Sequence, residues 1–251
     1  MTVTRRDRGG GDLRGDLRGD LCGDSRGQRR QRGQLCGLFG GTFDPIHLGH
    51  LRPVAAAARA AGLAKVIYIP AGAPPHRPRP VASAGDRLAM VKMALDAELK
   101  DSAAADMEIK LEVDDIEIKR RGPSFTFDTV QELQRRAPQT RYALLLGLDA
   151  LLGLETWHRW EALQRGVHII GIARPGWRAP APLPAWWRRA QVESAAELRA
   201  AAAGKIFIAE TSTAAVSSTA VRARIQAGGD AGEWLPPAVR DYIRDQNLYA
   251  D

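Results

Sequence analysis

The sequence predicts an α/β fold, a mostly parallel sheet with helices on both faces, and three observations carry that expectation. Short apolar runs recur along the chain, separated by longer stretches of helical spacing. Several of the runs stop at glycine or proline. The alternation of strand and helix is the pattern that feeds a parallel sheet covered on both sides.

The elements follow in order. QLCGLFG (34–40) is a first strand ended by glycines, and LRPVAAAARAAGL behind it is an alanine-rich helix stopped by Gly62. KVIYIP (65–70) is β-branched and ends at a proline. GDRLAMVKMALDAEL (85–99) sets Leu88, Met90, Val91, Met93, Ala94 and Leu95 at largely helical spacing, with Asp86 as candidate cap. MEIKLEV (107–113) is the next strand and SFTFDTVQELQRRA the next helix; YALLLG (142–147), VHIIGIA (167–173) and KIFIAE (205–210) continue the strands. Helices are expected around 156–164, 185–203, 219–227 and 237–246. In such sheets ligands collect beyond the carboxyl ends of the strands, so the loops there are where chemistry is sought.

Residues 1–34 differ in kind. GDLR, GDLR, GDLC and GDSR repeat every four residues, and nine Arg stand against five Asp. The stretch holds too little apolar surface to offset its ordering entropy, and the period is too short and polar for a solenoid. It is expected to be a disordered, low-complexity extension, or residues upstream of the true start codon, and residues 35–251 to form one domain. The tail's charge would suit RNA, DNA or anionic lipid, but the interleaved aspartates weaken that attraction. It has no apolar core for a secretory signal, and its acidic residues disagree with a transit peptide. No run is long and apolar enough to span a bilayer. Two cysteines, Cys22 and Cys36, suggest neither a disulfide framework nor a zinc cluster. A cytoplasmic protein is the expectation.

The first strand runs into GGTFDPIHLGHL (40–51). Gly40 and Gly41 allow close backbone approach to a ligand, and the helix behind offers its positive end. His47 and His50, three positions apart, would share a face there, where imidazole N–H groups can donate to phosphate oxygens. Zinc would need further ligands, and His76, His158 and His168 are scattered.

Phe39–His50 resembles the signature of the HxGH nucleotidyltransferases, and VSSTAVR (216–222) resembles that superfamily's second signature, a serine-serine-threonine turn opening a late helix. The resemblance implies a Rossmann-like fold. It implies ATP binding by Gly40, Gly41, Thr42, Phe43, Gly49, Ser217, Ser218 and Thr219, and catalytic roles for His47, His50 and Arg222. Capping, exposed N–H groups and a permanent cation make physical sense of the second motif. IPAGAPPHRP, RRGPSFTFDT, LLGLDAL, TWHRW, ARPG and GKIFIAET extend the resemblance, over essentially 35–251, to the bacterial nicotinate-nucleotide adenylyltransferases. That family's pattern implies recognition of nicotinate by Ser124, Phe125 and Thr126, partly through backbone N–H groups, and stacking of the pyridine ring on Trp157. It also implies that Asp149 sits near the mononucleotide and that His76 and Arg77 lie on a substrate-facing loop. Two positions depart from it: Leu148 stands where a polar or small residue is frequent, and Phe125 where tyrosine is.

The activity so implied is transfer of AMP from ATP to nicotinate mononucleotide, with pyrophosphate released, by direct in-line attack on the α-phosphorus without a covalent intermediate. Mg²⁺ is expected on the ATP phosphates and water rather than in a protein cage. Rival expectations are an adenylyl- or cytidylyltransferase for another phosphate acceptor and a non-catalytic nucleotide- or RNA-binding module. A class I aminoacyl-tRNA synthetase would need a KMSKS-like loop, which is lacking. Nucleic acid and membrane are not expected as partners, and the sequence leaves the oligomeric state and the nicotinate-over-nicotinamide preference open.

Overall fold

The computed structural model describes residues 35–73, 79–101, 109–174, 176–179, 181–212 and 216–250. The expected extension, 1–34, and the pair His76 and Arg77 lie outside the described residues. Seven strands, β1 (Leu35–Gly41), β2 (Lys65–Pro70), β3 (Lys110–Val113), β4 (Arg141–Gly147), β5 (His168–Ala173), β6 (Gln191–Val192) and β7 (Ile206–Glu210), form one sheet in the order β3-β2-β1-β4-β5-β7-β6. Every neighbouring pair is parallel. The α/β expectation therefore holds.

Successive strand side chains point to opposite faces, and in β4 Ala143 and Leu145 enter one core while Leu144 and Leu146 enter the other. The first core is closed by α1 (Leu48–Ala61), α2 (Ala84–Asp101), α9 (Ser218–Gln226) and α10 (Pro237–Asp245), through Leu51, Met90, Val221 and Val239. The second is closed by α4 (Thr126–Arg136), α5 (Leu148–Leu152), α6 (Trp160–Gly166) and α7 (Ala185–Ala190), through Leu133, Leu151, Leu163 and Trp187. Strands sandwiched this way must be apolar on both sides, which is why they read as unbroken runs.

Helix ends follow local chemistry. Gly62 ends α1 with φ at +67°, a conformation that costs glycine little. The cap of α2 is Ser83, whose Oγ accepts from the Asp86 N–H at 3.1 Å, so Asp86 sits inside the first turn instead of capping it. The helix expected over 185–203 is broken in two. Gln191 and Val192 leave α7 to pair with β7, and α8 (Ala195–Ala200) starts afresh behind Ser194, which accepts from the Glu197 N–H. Serine followed three positions later by glutamate is a helix-start signal that alanine content masked. The stretch 156–164 likewise divides between a 3₁₀ turn (Leu154–Thr156) and α6.

The crossovers place β2 on one side of β1 and β4 on the other. Chain direction along the sheet reverses there, opening a crevice at the carboxyl ends of β1 and β4.

Candidate active site

The β1–α1 loop reaches this crevice. Phe43 adopts φ +51°, and its buried ring packs on Phe39 (5.6 Å), Tyr68 (6.1 Å) and His50 (5.3 Å). A Cβ on Gly41 would fall 2.7 Å from that ring, so Gly41 is what lets the ring in. The Gly41 carbonyl accepts from the Ala71 N–H at 2.8 Å, and the Thr42 carbonyl from Arg87 Nη1 at 2.7 Å. In a trans peptide the N–H points opposite to its carbonyl, so the Thr42 and Phe43 N–H groups face away from these anchors. That is the geometry of an anion cradle.

Two residues to which the sequence reading gave no role hold this loop. Arg87, 1% exposed, also donates from Nη1 to the Ala71 carbonyl at 2.7 Å. Asp44, 4% exposed, accepts from the Val81 N–H (2.8 Å), the Ala82 N–H (3.0 Å) and the Tyr249 hydroxyl (2.8 Å). Arg87 was legible: it shares a helix face with Met90, Val91 and Ala94, and a cation on a buried face needs partners.

His47 and His50 come together at the start of α1 as expected, though His47 itself is not helical. His47 is the N-cap in extended backbone, and its N–H donates to His50 Nδ1 at 3.3 Å. The rings stack with centroids 3.7 Å apart. Since Nδ1 of His50 accepts, its proton sits on Nε2, available as a donor. Among the described residues the buried Nδ1 of His47 has no partner. A Cβ on Gly49 would lie 2.7 Å from Val216 and 3.0 Å from His47 Nδ1, so Gly49 serves the packing of the histidine ring.

Burial lowers the His47 imidazole to about 4, and burial with the neighbouring ring holds His50 well below the ordinary histidine range. Both are neutral at pH 7. Above pH 6.5 neither folded nor unfolded chain protonates His47; below it the unfolded chain takes a proton that the folded ring refuses until about pH 4. His47 is thus expected to cost about 3 kcal/mol of stability as pH falls across that window. Urea unfolding at pH 7 and pH 4.5, compared with His47→Asn, checks this: equal pH dependence in both proteins would mean that the ring is not held neutral.

The second motif opens α9 beside the loop. Ser217 caps the helix, accepting from the Ala220 N–H at 3.1 Å, and Thr219 is exposed. Ser218 is committed elsewhere: its hydroxyl donates to the Pro45 carbonyl at 2.9 Å, so its side chain fixes the loop, and only its backbone is left for a ligand. Arg222 Nη1 donates to the Asp44 carbonyl at 2.6 Å and lies 3.7 Å from the Asp44 carboxylate. Among the described residues the other guanidinium donors of Arg222 have no hydrogen-bond partner, which leaves them to serve an anion.

The anticipated acceptor residues adjoin this cradle. Ser124 is buried; its N–H donates to the Ala73 carbonyl at 3.2 Å, and Ala73 follows the Ala71 that pairs with Gly41. Phe125 is the N-cap of α4 with no side-chain cap, so the helix starting at Thr126 turns an uncapped positive end to this side. The Phe125 ring lies 4.6 Å from the ring of His158, which follows the half-buried Trp157. The SFT and TWH segments are therefore brought together, and His158, scattered to the eye in the sequence, joins them. Beneath them Glu117, pushed up by burial, accepts from Thr129 Oγ1 at 2.9 Å. A Cβ on Gly72 would meet the Glu117 carbonyl at 2.1 Å, so backbone packs directly on backbone there. Asp149 is exposed in the first turn of α5, beyond β4, while Leu148 packs against the second core. A cavity of about 380 Å³ between α6 and α7, lined by Trp160, Arg165, Trp186 and Arg189 among others, contains none of the anticipated site residues. Among the described residues no group of three His, Cys, Asp or Glu side chains could hold a metal ion, and no helix is long and apolar enough to cross a membrane.

A glycine loop at the switch point of a parallel sheet, flanked by two histidines and a serine-capped helix, defines a class. Residues 38–224 match the cytidylyltransferase-like family, and the chain belongs to it. It is 42% identical over 215 residues to a probable nicotinate-nucleotide adenylyltransferase of Aeromonas hydrophila subsp. hydrophila, covering 85% of this chain and 96% of that one. It is 39% identical over 220 residues to a probable nicotinate-nucleotide adenylyltransferase of Klebsiella pneumoniae subsp. pneumoniae, covering 86% and 97%. Within the class the chain is a member of the nicotinate-nucleotide adenylyltransferase family. Among solved structures, Plasmodium falciparum nicotinic acid mononucleotide adenylyltransferase complexed with NaAD shares the fold, with a TM-score of 0.62, 16% identity, and coverage of 86% of this chain and 97% of that one.

Proposed function

We propose that this protein transfers AMP from ATP to nicotinate mononucleotide, giving nicotinate adenine dinucleotide and pyrophosphate in NAD biosynthesis. The observation that carries the reading is continuity: the hydrogen bonds Ala71 to Gly41 and Ser124 to Ala73 fasten the acceptor segment to the phosphate loop. Family membership at about 40% identity over most of the chain supports it.

ATP enters as its Mg²⁺ complex, the ion supplying charge neutralisation from the phosphates it rides on. The Thr42 and Phe43 N–H groups, the α9 N-terminus with Ser217 and Thr219, and Arg222 hold the triphosphate. His47 and His50, neutral, donate N–H groups where negative charge grows. The uncapped start of α4, with Ser124, Phe125 and Thr126, receives the nicotinate carboxylate, and Trp157 faces the ring. Asp149 lies toward the mononucleotide. The phosphate dianion of the mononucleotide is already a nucleophile, so the chain's work is orientation and charge stabilisation of an in-line displacement. A cytoplasmic location completes the reading.

The test is pyrophosphate release by the full chain with Mg²⁺–ATP and, in parallel, nicotinate mononucleotide, nicotinamide mononucleotide and phosphopantetheine. Turnover is expected with the nicotinate compound at least about ten-fold above the others, because a carboxylate left without its donors loses charge-assisted hydrogen bonds. Preferential use of phosphopantetheine would refute the acceptor assignment.

A further inference from the structure

The chain's last residues carry two non-glycine positions in the left-handed region, Asn247 (φ 49°) and Tyr249 (φ 63°). For a side chain as large as tyrosine this conformation persists only where its surroundings over-determine it. Here the Asn247 N–H donates to Arg244 O (3.1 Å), the Leu248 N–H to Ile243 O (2.9 Å), and the Tyr249 hydroxyl to Asp44 Oδ1 (2.8 Å), a residue 205 positions away. Tyr249 is 5% exposed. Burial and the Asp44 charge push its phenol far up, so it donates at every working pH.

The destination of that bond matters. The Asp44 carboxylate has Val81 N–H on Oδ2, and Ala82 N–H and Tyr249 OH on Oδ1. With these donors in place, Arg222 Nη1 stays at 2.6 Å from the Asp44 carbonyl and 3.7 Å from Oδ2. Remove the phenol and Oδ1 keeps one donor inside a buried site, where an under-satisfied carboxylate attracts the nearest movable cation. That cation is Arg222. Its charge would then be spent on Asp44.

We propose that Tyr249 is a positioning residue of the triphosphate site: by holding the Asp44 carboxylate it keeps Arg222 on the loop carbonyl with its charge available to phosphate, which makes the chain's C-terminal segment part of the catalytic apparatus. The inference rests on the reading of Arg222 as a phosphate ligand.

The test is Tyr249→Phe, which keeps the ring and its packing. Binding of adenosine α,β-methylene-triphosphate with Mg²⁺, measured by calorimetry, should weaken about ten-fold, as loss of a buried hydrogen bond to a charged group implies. The KM for ATP should rise in step, and that for nicotinate mononucleotide should change less than about two-fold, since the acceptor segment is not touched. In an Arg222→Lys background the Tyr249 effect should shrink below about two-fold, because the two act through one contact. A lowered melting temperature with unchanged analogue affinity would overturn the proposal and leave Tyr249 as a structural tether; so would an undiminished effect in the Arg222→Lys background. If the full chain binds the analogue yet makes no pyrophosphate with nicotinate mononucleotide, the acceptor reading fails while the analogue affinities still decide the role of Tyr249.

Discussion

Replacement of His50 by alanine is expected to lower turnover by about 10²- to 10³-fold, the effect of deleting one preorganised donor from a site of growing charge. Affinity for ATP should change only a few-fold. The reason is in the ring's surroundings. His50 is fixed by the His47 N–H on Nδ1, stacked on His47, and set edge-on against Phe43 at 5.3 Å and 90°. Nε2–H is therefore held in place before substrate arrives and costs no reorganisation when the bond to the α-phosphorus changes. A neutral donor gives a moderate bond to ground-state phosphate and a stronger one as charge accumulates, so the loss falls on kcat. Steady-state kinetics together with analogue calorimetry check this; equal losses in turnover and affinity would assign His50 to ground-state binding.

Arg87→Met should be the most damaging change outside the substrate contacts. Methionine preserves length and apolar packing but removes the donors to the Thr42 and Ala71 carbonyls. It also removes the buried cation whose field is felt by Asp44 and Tyr249. Leaving the Thr42 and Ala71 carbonyls short of that donor, and the buried Asp44 charge without the cation's field, costs about 3 kcal/mol. For a domain of this size that lowers the melting temperature by about 6–12 °C. Because Arg87 holds the loop from behind, the KM for ATP should rise as well. A melting temperature within about 2 °C of the parent would show that the loop stands without it.

The local geometry of the candidate site was legible in the sequence. GGTFDPIHLGH and VSSTAVR are local: each combines a strand end, a tight turn and a helix start, and neighbours in sequence decide such geometry. The SFT segment was singled out only through the family resemblance; the uncapped helix start behind it is a feature of the fold. The roles of Ser217 and Ser218 were not separable in the sequence, since both can cap. The fold separated them by placing the Pro45 carbonyl 2.9 Å from the Ser218 hydroxyl. Likewise nothing in PVASAGD marks its backbone as the partner of Asp44, because a peptide N–H has no sequence signature.

The sequence by itself determined the alternation of strands and helices, the two-sided burial of the sheet and the two glycine- and serine-marked turns into helices, because periodicity, capping and glycine placement act over a few residues. Only the tertiary structure decided which distant groups meet: Tyr249 on Asp44, Arg87 under Thr42, His158 against Phe125. Those contacts follow from strand order. Once β1 lies between β2 and β4, the ends of many elements converge on one crevice, and buried polar groups there bond to whatever the sheet brings within reach.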